Sequence, residues 1–418
     1  MAPRYGTRSG FRIYFITLQV FIMSFSILPH PTGKAHPVAV GLFRIGGFII
    51  TVVIVTTLAL ILAACGDRSP DTLHYTGATM GTYYSVKVSR SPQEVHDAHG
   101  IDTERLGRDI EEILEEINAL MSTYRQDSEL SRFNASRSAG WFPVSRDLHT
   151  VVSEALRVGR LTGGAFDITV GPLINLWGFG PPMDDEGDRE GNDKPEDGPI
   201  EEEGFMSAIT PRNMPRAADL RDAMTRIGYE KVSTRATPPA LRKDDSGVYL
   251  DLSAIAKGFA VDKVAEYLER MGIVDYLVDI GGELRGKGRN STGKPWRVAI
   301  EKPMPDQRAI HQVIAVDDRA VATSGDYRNF FEKAGRRYSH TIDPKTGRPV
   351  THALASVTVI DPSAMRADAL ATAISVLGPQ AGYELAEREG IPVRLIIKTE
   401  TGFTDRGTPA FDGFVVAE

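Results

Sequence analysis

The chain has 418 residues, 42% hydrophobic and 25% charged, with a formal net charge of −7. This composition describes a globular protein with ample material for a large core. The mild acidity argues against a nucleic-acid binder, which would carry a basic patch or stripe, and the single cysteine, Cys65, excludes an intramolecular disulfide.

An apolar patch from Phe11 to Leu28, interrupted by Arg12, Thr17 and Gln19, comes first in the chain. A second apolar stretch, Ile49–Ala64, follows Arg44 and ends in Leu62-Ala63-Ala64-Cys65-Gly66. A basic flank, an apolar centre and small residues before the break describe a secretory signal. The L-A-A-C ending resembles a bacterial lipobox, in which the cysteine is lipidated and becomes the mature N-terminus. A lipid on Cys65 would tether the protein to a membrane without a spanning helix; the alternative is a transmembrane anchor. Either one places residues 66–418 outside the cytoplasm. Residues 1–65 are therefore expected to be an N-terminal extension with a signal or anchor. Two hydrophobic segments before one lipobox point to a translation start near residues 38–44. Residues 66–74 are polar enough for a tether.

Thr79–Val88 alternates and is expected to be a first strand. Helical spacing follows over Asp102–Met121, through Leu106, Ile110, Ile113, Leu114, Ile117 and Leu120. Leu148–Leu161 is a second helix. It runs into Thr162-Gly163-Gly164-Ala165-Phe166-Asp167, where two glycines either admit a ligand close to the backbone or cap the helix. Pro181–Gly204 is almost entirely acid, Gly and Pro, and reads as a disordered surface loop. It lacks the ordered spacing of a calcium loop.

Val248-Tyr249-Leu250 is strand-like and stops at Asp251. Ser253 is expected to cap a helix carrying Ala254, Ile255, Ala256, Val261, Val264, Ala265 and Leu268. Lys257 then sits in the first turn, against the helix dipole. A cation there needs an anionic partner, which a phosphate bound at the helix N-terminus would supply; a surface lysine beside an ordinary cap is the plainer alternative. Downstream, short strands are expected at Tyr276–Ile280 (leading into Gly281-Gly282-Glu283), Trp296–Ile300, Val313–Val316, Ala320–Thr323, Ser356–Ile360 and Val393–Ile397, with a helix over Met365–Leu377. Strands and helices mix without a regular βαβ period, so the class is α+β, with mixed sheets and packed helices.

In that last helix Asp368 and Thr372 are spaced i, i+4 and share a face. Their oxygens suit a hard cation such as Mg2+, or equally a cap and a back-bonded hydroxyl. His340, between Ser339 and Thr341, precedes the turn residues Asp343-Pro344-Lys345-Thr346-Gly347. It is a general-base candidate or a hydrogen-bonded structural residue. The chain has no dinucleotide fingerprint, no phosphate loop and no His/Cys zinc cluster.

Eight segments, taken in order, carry a resemblance. They are M-G-T-Y at Met80, S-T-Y-R-Q-D-S-E-L-S-R-F-N at Ser122, T-G-G-A-F-D-I-T-V-G-P-L at Thr162, D-L-S-A-I-A-K-G at Asp251, I-G-G-E at Ile280, A-T-S-G-D-Y at Ala322, S-H-T-I-D-P-K-T-G at Ser339 and D-A-L-A-T-A at Asp368. Together they resemble the ApbE family of FAD:protein FMN transferases, often membrane-tethered lipoproteins. The resemblance covers residues 75–413, broken by 181–204, and leaves 414–418 as a C-terminal tail. It implies a single catalytic unit of two interleaved subdomains. It further implies a Mg2+-dependent reaction in which a Thr or Ser hydroxyl of an acceptor protein attacks the FMN-side phosphorus of FAD and AMP leaves. Acceptors in the family are subunits of Na+-translocating NADH:quinone reductase and Rnf-type complexes, so the expected location is the bacterial inner membrane, lipid-anchored and facing the periplasm.

Residue by residue, the resemblance assigns FAD contacts to Met80, Tyr124, Ala165, Phe166, Asp167, Asp251, Lys257 and His340. It assigns the metal to Asp368 and Thr372 with main-chain oxygens of Ala254 and Ala371, and activation of the acceptor hydroxyl to His340. Two other readings compete. An FAD pyrophosphatase would release FMN and AMP to water. A non-catalytic FAD-binding lipoprotein would need no metal.

Overall fold

The computed structural model describes residues 72–90, 95–96, 100, 102–180, 214–304, 309–325, 330–333 and 336–416. The expected anchor at 1–65 with Cys65, most of the tether and the acidic insert 181–204 lie outside the described residues. Among the described residues, no helix is long and apolar enough to cross a membrane.

The alternation read as one strand at Thr79–Val88 spans a hairpin instead. Strands β1 (Leu73–Thr79) and β2 (Thr82–Val88) pair antiparallel. Met80 and Gly81 make the turn, both at positive φ, 50° and 70°. The polar/apolar period runs through a two-residue turn unbroken, so pattern alone does not show the reversal. β1 also starts inside the segment expected to be tether.

The two amphipathic helices form nearly as expected. Helix α1 is Thr103–Met121, capped by the Asp102 carboxylate, which accepts from the Glu104 N–H. A short helix α2 (Glu129–Ala135) and strand β3 (Phe142–Pro143) precede α3 (Arg146–Leu161). Ser128 and Ser145 cap α2 and α3 by accepting from the amides three residues on. The Gly163-Gly164 pair, at φ 58° and 82°, ends α3, with the Gly164 N–H donating to Gly159 O at 2.8 Å. Helices α4 (Gly171–Leu176) and α5 (Ala217–Thr225) follow, then strands β4 (Val232–Ala236) and β5 (Pro239–Lys243).

Two expectations near Asp251 are corrected. Val248–Leu250 forms no strand and, among the described residues, joins no sheet. The Asn134 side chain takes the place of a partner strand, donating to Leu250 O at 2.9 Å and accepting from Leu250 N–H at 2.8 Å. Ser253 is no helix cap: its N–H donates to Asp251 Oδ1 at 2.8 Å, and helix α6 runs from Ala256 to Arg270 behind Ile255, which has no side-chain cap. The Asp251 carboxylate outcompetes Ser253 by folding the chain into a local turn.

Beyond α6 come β6 (Tyr276–Ile280), β7 (Glu283–Lys287), β8 (Trp296–Glu301), β9 (Ile310–Val316), β10 (Arg319–Gly325), β11 (Phe330–Lys333), β12 (Arg336–Ser339), β13 (Ile342–Asp343), β14 (Arg348–Pro349) and β15 (Leu354–Asp361). Helix α7 (Ala364–Arg388) extends past the expected stop at Leu377 through a kink at Gly378, φ 80°. Strands β16 (Val393–Thr399) and β17 (Gly402–Gly407) and the single turn α8 (Pro409–Asp412) close the chain.

An eight-stranded sheet in the order β1-β2-β6-β7-β10-β15-β16-β17 is antiparallel throughout. α1, α6 and α7 bury their apolar stripes on one face with Val86, Val278, Val357 and Val359, and α3 joins the same core against α7, β4 and β5. The β8–β9 hairpin covers the other face through Trp296, Ile300, Ile314 and Val316. Residues 414–416 pair along β9, with Ala315 N–H donating to Phe414 O at 2.8 Å and Val416 N–H to Val313 O at 3.0 Å, so the described part of the expected tail belongs to the fold. The described residues lie in one compact unit, of the α+β class expected.

Candidate functional site

The site forms where the N-terminal ends of α6 and α7 meet. Gly258, in the first turn of α6, makes the meeting possible. A Cβ there would lie 2.2 Å from the main-chain oxygen of Ala364 and 2.8 Å from Met365 Cα. The Gly258 N–H instead donates to Asp368 Oδ2 at 3.0 Å, so the backbone of one helix holds the carboxylate of the other. Asp262, one turn further along α6, caps α7. Its carboxylate accepts from Ser363 Oγ (2.7 Å), Ala364 N–H (3.0 Å) and Met365 N–H (3.0 Å), and pairs with Arg285 at 3.1 Å.

Lys257 is held from the sheet side. Its ammonium lies 2.5 Å from Glu283 Oε2. Glu283 opens β7 just after Gly281 and Gly282, at φ 64° and 99°, conformations that L side chains rarely adopt. The anionic partner demanded by a lysine in a first turn is thus a carboxylate of the protein. Burial works against the charge of Lys257, but Glu283 and Asp368 outweigh it and its pKa is raised. Burial pushes the Glu283 carboxyl up to about 7, with Lys257 opposing and the Asp368 charge adding to the rise. Asp368 and Asp279 are likewise raised, chiefly by burial. Glu283 pairs with the ammonium while Asp368 and Asp279 act on it through their charge, and such acidic surroundings suit an added cation.

A cavity of about 700 Å³ opens here. Of the residues anticipated from sequence it brings together Ala165, Phe166, Asp167, Asp251, Ala254, Lys257, His340, Asp368 and Thr372. The Asp167 carboxylate, however, is committed to the fold: it accepts from the Thr169 N–H and hydroxyl and from the Tyr229 N–H at 2.9 Å. Asp251 is buried, which raises its pKa. His340 stands edge-on to Phe179, ring centroids 6.4 Å apart.

Met80, Tyr124 and Ala371 lie off the cavity wall. Met80 sits in the β1–β2 turn against the main core. Tyr124 is 59% exposed beyond α1; loss of solvent around its hydroxyl, then the Asp251 charge, raise its pKa. Ala371 points its side chain into the core, 1% exposed.

Sequence reasoning assigned no role to Glu283, Gly258 or Asp262. Lys257 in a first turn was a signal for the first. Nothing in the local pattern marks the other two, because their partners lie some hundred residues away.

Among the described residues no three His, Cys, Asp or Glu side chains gather into a metal cage. One carboxylate and one hydroxyl on one helix face, inside an acidic pocket, are oxygen donors of the kind a hard cation takes.

The family model described as the ApbE family matches residues 80–395. The FAD:protein FMN transferase of Vibrio cholerae is 46% identical over 357 residues, covering 85% of this chain and 96% of its own. Its namesake from Haemophilus influenzae is 40% identical over 373 residues, covering 87% and 97%. Among solved structures, flavin transferase ApbE from Vibrio cholerae matches with a TM-score of 0.70 and 44% identity, over 82% of this chain and 99% of its own. The apo form of the Pseudomonas stutzeri flavinyl transferase ApbE matches with a TM-score of 0.69 and 38% identity, over 84% and 98%.

Proposed function

The chain belongs to the ApbE family and is a transferase that moves FMN from FAD to an acceptor; we propose that it does so with Mg2+, onto a Thr or Ser hydroxyl of a protein. The observation that carries this reading is the convergence of Lys257, Asp368 and Thr372 on one cavity wall with His340 lining the same space. Phosphoryl transfer asks for neutralised phosphate charge and an aligned nucleophile more than for covalent help from the enzyme.

In this reading Asp368, Thr372 and the main-chain oxygens of Ala254 and Ala371 hold Mg2+, which when bound supplies Lewis-acid charge to the phosphates. Lys257 moves its ammonium from Glu283 toward the diphosphate of FAD. Phe166 and its neighbours receive a flat ring, and Met80 and Tyr124, off the cavity wall, are assigned the remaining FAD contacts. His340 takes the proton from the acceptor hydroxyl, since an alcohol needs a base to become a useful nucleophile. The hydroxyl oxygen bonds to the FMN-side phosphorus, the bond to the bridging oxygen breaks, and AMP departs. The acceptors are extracytoplasmic subunits of Na+-translocating NADH:quinone reductase or Rnf-type complexes. A lipid on Cys65 keeps the enzyme on the periplasmic face of the inner membrane.

The test incubates the protein with FAD, Mg2+ and such a purified acceptor subunit and follows in-gel flavin fluorescence. Labelling that vanishes with EDTA and in Asp368→Ala supports the reading. Labelling that survives both removes the metal site from it.

A further inference from the structure

Among the described residues, strand β8 has one edge in use and one edge open: it pairs with β9, in a two-stranded sheet. In that register Arg297 faces Ala315, Val298 faces Ile314 and Ala299 faces Val313. The main-chain groups of Val313 and Ala315 are turned the other way, to residues 414–416. Antiparallel partners alternate between bonded and non-bonded pairs. The bonds to β9 therefore come from Trp296, Val298 and Ile300, and Arg297 and Ala299 direct their N–H and C=O outward. Among the described residues no strand pairs along that side. Arg297 and Ala299 are exposed, whereas Trp296 and Ile300 are buried beneath the hairpin.

The open edge borders the cavity. Five consecutive residues, Arg297–Glu301, line it, as do His340 and Asp368. Successive side chains leave a strand on opposite faces. A run of five touching one space therefore presents the strand's edge to it.

We propose that this edge docks the acceptor polypeptide, which adds to β8 as an extended strand and so carries its hydroxyl to the bound FAD. The proposal rests on the reading that the acceptor is a protein hydroxyl. A macromolecular nucleophile has to enter this cavity beside the diphosphate, and an extended backbone is the form of polypeptide slim enough to do so. A row of unpaired N–H and C=O groups is a template for another chain, and extended peptides use such edges for affinity through the main chain. The protein covers the outer edge of the same hairpin with its own residues 414–416. Ala299 at the centre of the cavity-side edge lets a second backbone approach.

The test uses the full chain with FAD, Mg2+ and the purified flavin-carrying subunit of a Na+-translocating NADH:quinone reductase. Ala299→Pro removes an outward N–H and spares the bonds to β9. Ala299→Ser keeps that N–H. The acceptor KM should rise about tenfold in Ala299→Pro and stay unchanged in Ala299→Ser, with FAD affinity, read by flavin fluorescence, unchanged in both. An unchanged acceptor KM in Ala299→Pro overturns the proposal. So does self-association of wild type that Ala299→Pro abolishes, which would assign the edge to a second copy. Hydrogen exchange on wild type decides the matter if Ala299→Pro does not fold. Slowing at the 297 and 299 amides on adding the acceptor supports docking there; no slowing, or slowing by FAD alone, contradicts it. A wild type that never labels the acceptor refutes the hydroxyl-transfer reading, and the exchange experiment still judges the edge.

Discussion

Lys257 keeps its charge in a half-buried place because Glu283 lies 2.5 Å away and Asp368 adds to the field. Lys257→Met leaves two raised-pKa carboxylates facing each other without their counter-ion. We expect FMN transfer to fall by about a hundredfold or more, with weaker FAD binding, when initial rates are measured against FAD concentration. The same pair sets a pH dependence. Glu283 binds its proton more tightly in the folded protein, at about 7, than at its ordinary 4.5. Between those values the folded state holds the extra proton, so the Glu283 contribution to stability is fully present below about 4.5 and is lost as pH rises to about 7. In EDTA, the Tm of wild type relative to Glu283→Gln should therefore fall across that window and level off above it. A relative Tm that climbs with pH there would contradict the assignment. The need for an anion beside Lys257 was legible from its place in a first turn. Which anion was not, since Glu283 reaches it only through sheet pairing.

Helices α6 and α7 act on the site as one body, locked by the Gly258 contact and the Asp262 cap. Gly258→Ala drives a Cβ into backbone atoms of Ala364 and Met365, which cannot swing aside as a side chain would. Its cost should be about 3 kcal/mol in denaturant unfolding, with loss of transfer at temperatures where the variant stays folded. A cost near zero would show that the helices part freely. The i, i+4 pairing of Asp368 and Thr372 was visible in sequence because it is local. The start of α6 was misplaced because Asp251 and Ser253 offer competing caps, and pattern does not say which of two polar side chains wins. The kink at Gly378 hid behind the same ambiguity: Gly-Pro ends most helices, yet here the helix resumes.

For the whole molecule, α+β was readable from the mixture of elements, and the order of motifs carried the family. The strand order of the sheet was not readable, since alternation tells which face a strand buries and not which strand lies beside it. β8 illustrates this: its period is plain, but its open edge follows from where residues 414–416 bind. A ligand that binds only the folded state stabilises all of it. At a hundred times its Kd, Mg2+ should add about 2.7 kcal/mol to unfolding, seen as a rise in Tm that Asp368→Asn lacks. An equal rise in that variant would place the ion elsewhere.

The most direct measurement counts products in a single incubation with FAD, Mg2+ and acceptor subunit: AMP by chromatography, and FMN adduct by intact mass with fragment mapping. One AMP for each FMN joined to a Thr or Ser, both lost in Asp368→Ala, is the expected result. AMP and free FMN accumulating together without an adduct would contradict transfer to a protein hydroxyl and make the protein an FAD pyrophosphatase.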